Sequence, residues 1–174
     1  MVMDPSKTLV ILAAYPDKQC DPSILGFLVE HGFVLDKAHL VMTCIRDVAC
    51  ALNTAVKSIF LPSSADHLLY VEKDMGLGPM TAPFLESAGD VVCAFYETGV
   101  AHAWRNPSAF HTGLWRTNRP VLKALEFPLF MPRYSEDGTQ IVECACISFA
   151  KKVIEAGFEI VQAGETVHQP RRGG

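Results

Sequence analysis

Apolar positions in the first hundred residues fall into two alternating patterns. Short unbroken runs read as strands covered on both faces, and runs with helical spacing read as amphipathic helices. Leu9 to Ala14 is the first continuous run, stopped by Tyr15-Pro16-Asp17. Asp21-Pro22 then supplies an N-cap with a first-turn proline, Ile24, Leu25 and Leu28 form a stripe, and Gly32 is placed to end the helix. His39 to Thr43 predicts a second strand; Val48, Leu52, Ala55, Val56, Ile59 and Phe60 predict a second helix ending before Pro62. Pro79 opens a helix carrying Phe84 and Leu85, and Gly89-Asp90 precedes a strand over Val91 to Tyr96. This alternation predicts a mostly parallel sheet between two helical layers, with ligands beyond the carboxyl ends of the strands.

Between these elements lies the stretch Asp66 to Gly76, an apolar run that ends in Glu72-Lys73-Asp74 and a glycine. Strand residues two apart point the same way, so Glu72 and Asp74 can converge on one ligand. Two oxygen donors suit Mg²⁺ or Mn²⁺ with a diphosphate filling further positions, and the same pattern also describes a solvated turn. Lys73, between the two acids, can pair with them or touch phosphate.

From Thr98 to Gly138 the pattern breaks into Gly, Pro, aromatic and Arg residues, which predicts an irregular segment with short strands. Trp104 and Trp115 in it can stack on a sugar or pin the loop to the core. His67 and His111 read as ligand groups or as structural histidines. Regularity returns with a helix face of Ile147, Ala150, Val153 and Ile154, a C-terminal Gly157 and a closing strand over Phe158 to Val161, before a polar tail that contains His168.

Composition narrows the partners. A chain of 174 residues with 49 % apolar and 20 % charged residues can bury its own core, and predicts one domain over 1–174. A net charge of −4 offers no basic field for nucleic acid. Six cysteines with no CxxC pair predict reduced, mostly buried thiols and a cytoplasmic protein; Cys144 and Cys146 read as packing residues or as a reactive pair. The first apolar run is too short to cross a bilayer.

The order of these motifs resembles that of compact GT-A type nucleotide-diphospho-sugar glycosyltransferases, over nearly the whole chain. The resemblance is carried by Tyr15-Pro16, Leu52-Asn53-Thr54-Ala55-Val56, Asp66 to Gly76, Asp90 to Tyr96, His111-Thr112-Gly113, and Glu155-Ala156-Gly157-Phe158 ahead of His168. It implies a three-layer αβα, Rossmann-like GT-A fold with a mostly parallel mixed sheet. It also implies Mn²⁺ or Mg²⁺ on Glu72, Asp74 and His168, and a nucleotide-diphosphate sugar contacted by Tyr15, Pro16, Asn53, Lys73, His111, Gly113 and Trp115. The sugar would pass to a hydroxyl acceptor.

Two departures from the family pattern bear on catalysis. Leu52 stands where an arginine is expected beside Asn53, and Ala145-Cys146 stands where relatives carry Glu-Asp, the source of the inverting base. Glu143 and Asp137 are the nearest replacement bases. The competing expectation is a binding module of the same fold that recognises nucleotide sugar or glycan without turning it over. A nucleotidyltransferase fits less well, because no glycine-rich phosphate loop follows the first strand.

Overall fold

The computed structural model describes residues 3–16, 19–96 and 110–168. Strands β1 (Thr8–Ala13), β2 (Leu40–Thr43), β3 (His67–Glu72), β5 (Val91–Phe95), β6 (Leu114–Asn118) and β9 (Ile160–Glu165) form one sheet in the order β2-β1-β3-β6-β5-β9. All pairings are parallel except those of β6, which runs against both of its neighbours. Two short ribbons complete the strands: β4 (Met75–Gly76) pairs with β10 (Val167–His168), and β7 (Arg133–Tyr134) with β8 (Ile141–Glu143).

The unbroken apolar runs follow from burial on both faces. Leu9, Ile11, Leu68, Tyr70, Val91 and Cys93 pack into one core, whereas the intervening Val10, Leu12, Leu69, Val71, Val92 and Ala94 pack into the other. Helices α2 (Val48–Thr54), α4 (Arg119–Ala124) and α5 (Ala145–Glu155) cover the first face, and α1 (Pro22–Glu30) and α3 (Ala82–Glu86) the second. The architecture is therefore a three-layer αβα sandwich. Local chemistry sets the helix ends: the carboxylates of Asp21 and Asp47 accept from Ser23 N and Cys50 N, and Gly32 and Gly157 exit helices at φ 78° and 83°. Helix α2 continues as a π-helical segment through Phe60.

Four expectations need correction. The segment expected to be irregular with short strands does hold a short strand, β6, but also helix α4, and β6 is buried at every residue despite Arg116, Thr117 and Asn118. Those polar groups are matched: Arg116 donates to the carbonyls of Phe84 and Ser87, Thr117 Oγ1 to Asp90 O, and the Asn118 side chain accepts from Val121 N. The tail expected around His168 is strand β10. In α5, Phe149 takes the core position, and Ile154 faces solvent.

The fourth correction concerns the thiols. Cys144 and Cys146 are joined in a disulfide, Cys44 and Cys50 are exposed, and of the four cysteines outside the disulfide only Cys93 is fully buried. The helical turn at Ala145, the first residue of α5, leaves the two Cα atoms 5.4 Å apart, within the range a disulfide spans. Among the described residues, no helix is long and apolar enough to cross a membrane.

Candidate metal and diphosphate site

β3 ends at Glu72, whose Cα partner on the neighbouring strand is Ala13 at the end of β1. The Glu72 amide donates to Gly113 O at 2.7 Å, and Thr112 Oγ1 reaches Glu72 Oε1 at 3.5 Å. The turn that follows is pinned on both sides, because Lys73 N donates to Ala13 O and Lys73 O accepts from Asp21 N. It leads through Asp74 into β4. Opposite β4 runs β10, with His168 in register with Met75, and this pairing carries His168 onto the carboxylates.

One ligand atom each from Glu72, Asp74 and His168 lies within 4.8 Å of the other two, and all three residues are half-buried. His168 Nε2 stands 3.5 Å from Asp74 Oδ2. The imidazole is stacked on Tyr96, at 5.7 Å between centroids and 26° between planes. Burial holds the Tyr96 phenol well above its ordinary pKa, with the Glu72 charge adding to the effect, so it stays a neutral hydroxyl. That hydroxyl accepts from Gly113 N at 3.2 Å. Thr166 fixes the start of β10 by donating from Oγ1 to Gly76 O and from its amide to Phe95 O. Two carboxylates and an imidazole in this arrangement fit a divalent ion that keeps open positions for other oxygen ligands.

A narrow groove of about 60 Å³ runs beside Glu72 and Asp74, lined also by Tyr15, Ile45, Arg46, Val48, Tyr70 and Lys73. It opens beyond the carboxyl ends of β1 and β2, whose following helices, α1 and α2, pack on opposite faces of the sheet. Such a switch point is where doubly wound sheets bind ligands. A roomier cavity of about 470 Å³ adjoins the β4–β10 ribbon and is lined by residues of Gly76–Thr81 and Glu165–Val167 together with Asp21 and Ser23.

The structure brings together only part of the expected substrate set. Tyr15 and Lys73 line the groove, and Gly113, outside its lining, accepts from the Glu72 amide and donates to the Tyr96 hydroxyl. Pro16 is exposed and outside the groove lining. Trp115 cannot stack on a sugar: it is 0 % exposed, wedged among Tyr70, Phe110, Phe130 and Phe149. Asn53 is spent on structure, donating to Ala49 O and Phe130 O while accepting from the amides of Leu129 and Phe130. His111 is buried against Tyr96, one ring further from the cluster than expected of a ligand contact. Trp104 lies outside the described residues.

Neither candidate base belongs to the cluster. Asp137 caps the exposed β7–β8 turn, where hydrogen bonds from Ser135 and Thr139 hold its pKa below the usual carboxylate range and make it a weaker base. Glu143 is paired with Lys151 and, at 3.7 Å, with Arg133.

Sequence reading missed Arg46, an exposed groove cation whose signal was its place directly before the Asp47 N-cap. The expected loss of polarity at Leu52 has a structural reason, since Leu52 is fully buried under the sheet. Tyr96 was read only as the end of a strand.

Fold and site together define an α/β protein of the doubly wound kind with an acidic, imidazole-bearing crevice. No family model matches the chain, and no curated protein does. Among solved structures, the crystal structure of A197 from STIV is similar over 92% of this chain and 83% of that one, at a TM-score of 0.59 and 15% identity. That likeness is one of fold.

Proposed function

We propose that this chain is a GT-A type glycosyltransferase-like protein that binds a nucleotide-diphosphate sugar through a divalent ion. The observation that carries the reading is the convergence of Glu72, Asp74 and His168 at the switch point of the sheet. Glu72 and Asp74 would hold Mn²⁺ or Mg²⁺ together with His168, and the imidazole favours Mn²⁺, since Mg²⁺ prefers oxygen. The ion would supply Lewis-acid neutralisation of charge on a departing diphosphate. Arg46 and Lys73 add two cationic side chains to the groove wall, and Tyr15 offers an aromatic face beside them. Calorimetry with uridine and guanosine diphosphates, with and without Mn²⁺, tests this. Binding is expected only with the ion, and Asp74→Ala should lose more than the roughly 10- to 100-fold that changes outside the ligand set cost. Equal affinity without metal and in Asp74→Ala would overturn the reading.

A second reading, a binding module of the same fold, is favoured by the state of the candidate bases. Glu143 is neutralised by two cations, Asp137 sits in an exposed turn, and Cys146 is in a disulfide. Loss of a general base typically costs about 10²- to 10⁴-fold in rate. Donor binding should accordingly be readily detected while transfer is slow, and Glu143→Gln should leave donor affinity unchanged. A fall in transfer rate on that substitution, at constant affinity, would restore Glu143 as the base.

A further inference from the structure

We propose that Cys144 and Cys146 form a reversible dithiol–disulfide site that exchanges with small-molecule thiols and disulfides. The two cysteines are separated by a single residue at the start of the eleven-residue α5. A bridge that closes so short a loop removes little freedom from the unfolded chain, so it contributes little as a structural staple. The chain is not otherwise stapled: Cys44 and Cys50 remain free thiols although both are exposed.

Its position favours that chemistry. Cys144 is the N-cap residue of α5, and Cys146 lies in the first turn. Both therefore sit at the positive end of the helix, which stabilises a thiolate. A stabilised thiolate is a good leaving group in exchange. Both residues are only half-buried, so an incoming thiolate can reach them. The site has an alternative state as well. No side chain caps α5 in the disulfide form, whereas a released Cys144 sulfur would stand at the position from which N-cap side chains accept amide hydrogen bonds.

The exchange balances with a thiol as reductant. A thiolate attacks one sulfur, breaks the bond and leaves a mixed disulfide with the other cysteine as thiolate. A second thiolate then attacks the small-molecule sulfur of that mixed disulfide and the protein cysteine leaves as its thiolate, so two thiols become one small disulfide and the protein gains two electrons and two protons as its dithiol. Oxidation is the reverse.

The test equilibrates the folded full chain in buffers of reduced and oxidised glutathione, quenches with acid, alkylates, and maps the peptides by mass spectrometry. The peptide holding Cys144 and Cys146 is expected to shift reversibly between bridged and doubly alkylated forms, with the circular dichroism of the fold retained. A pair that stays bridged under a large excess of reduced glutathione without denaturant, or that never bridges under oxidised glutathione, would overturn the proposal. Cys146→Ser isolates the remaining thiol: Cys144 should alkylate about tenfold faster than Cys44 at mildly acidic pH, as expected of a thiolate favoured by a helix N-terminus. Equal or slower alkylation would also overturn it.

Discussion

At Gly113 a single methyl group would collide with two neighbours. A Cβ there would lie 2.8 Å from the Tyr96 hydroxyl and 2.9 Å from Met75 Sδ, while the backbone on either side holds Glu72 and Tyr96. Gly113→Ala should therefore cost about 1–3 kcal/mol in urea unfolding and displace Glu72 from its partners. An unchanged urea midpoint would show that the pocket yields freely. His67 acts on pH dependence instead. It is buried at the start of β3, and desolvation holds its pKa below the ordinary imidazole value, with the Asp66 charge opposing the shift. The unfolded chain thus takes up a proton near pH 6.5, whereas the folded chain resists until lower pH. Above that range His67 contributes nothing; as pH falls through it, stability is lost. His67→Gln should flatten the loss measured between pH 7.5 and 5, and an identical slope would assign it to other groups.

At the scale of elements, the β4–β10 ribbon makes the site. Thr166→Val removes the hydroxyl that donates to Gly76 O at 2.6 Å and should cost about 1 kcal/mol. The same change should weaken Mn²⁺ binding about tenfold without touching a ligand, because His168 loses its anchor. Unaltered ion affinity would mean that β10 docks without Thr166. The ribbon also marks what was legible in the sequence. Strands β1, β3 and β5 could be read because burial on both faces leaves an unbroken apolar signature, and Glu72 and Asp74 because they end such a run. Two-residue strands have no periodicity, so the seating of His168 could not be read as geometry. β6 could not be located within a segment expected to hold short strands, for a different reason. Its arginine, threonine and asparagine are made neutral to burial by distant carbonyls and by a helix amide, and none of those partners can be inferred from local spacing. Trp115 and Asn53 misled similarly: a residue type suited to sugar contact is equally suited to filling a core or pinning a loop.

Across the whole molecule, two cores on either side of one sheet leave the chemistry to its carboxyl edge, where the loops after β1, β2 and β3 meet. Charged groups inside the fold are used on backbone. Arg119 gathers the carbonyls of Leu61, Ser63 and Ala65 beyond the end of the π-helical segment, as Arg116 gathers those beside α3. The crevice, by contrast, joins positions that more than half the chain separates, since Asp74 and His168 meet only once β10 has docked on β4. A polypeptide emerging from the ribosome can settle β1 to β3 early, yet it holds the Asp74–His168 contact only after β10 has also been made. A two-residue strand holds that closure weakly by itself, so a ligand gripped from both sides of the ribbon would act as its clasp, and binding at this edge would report that the ribbon is shut.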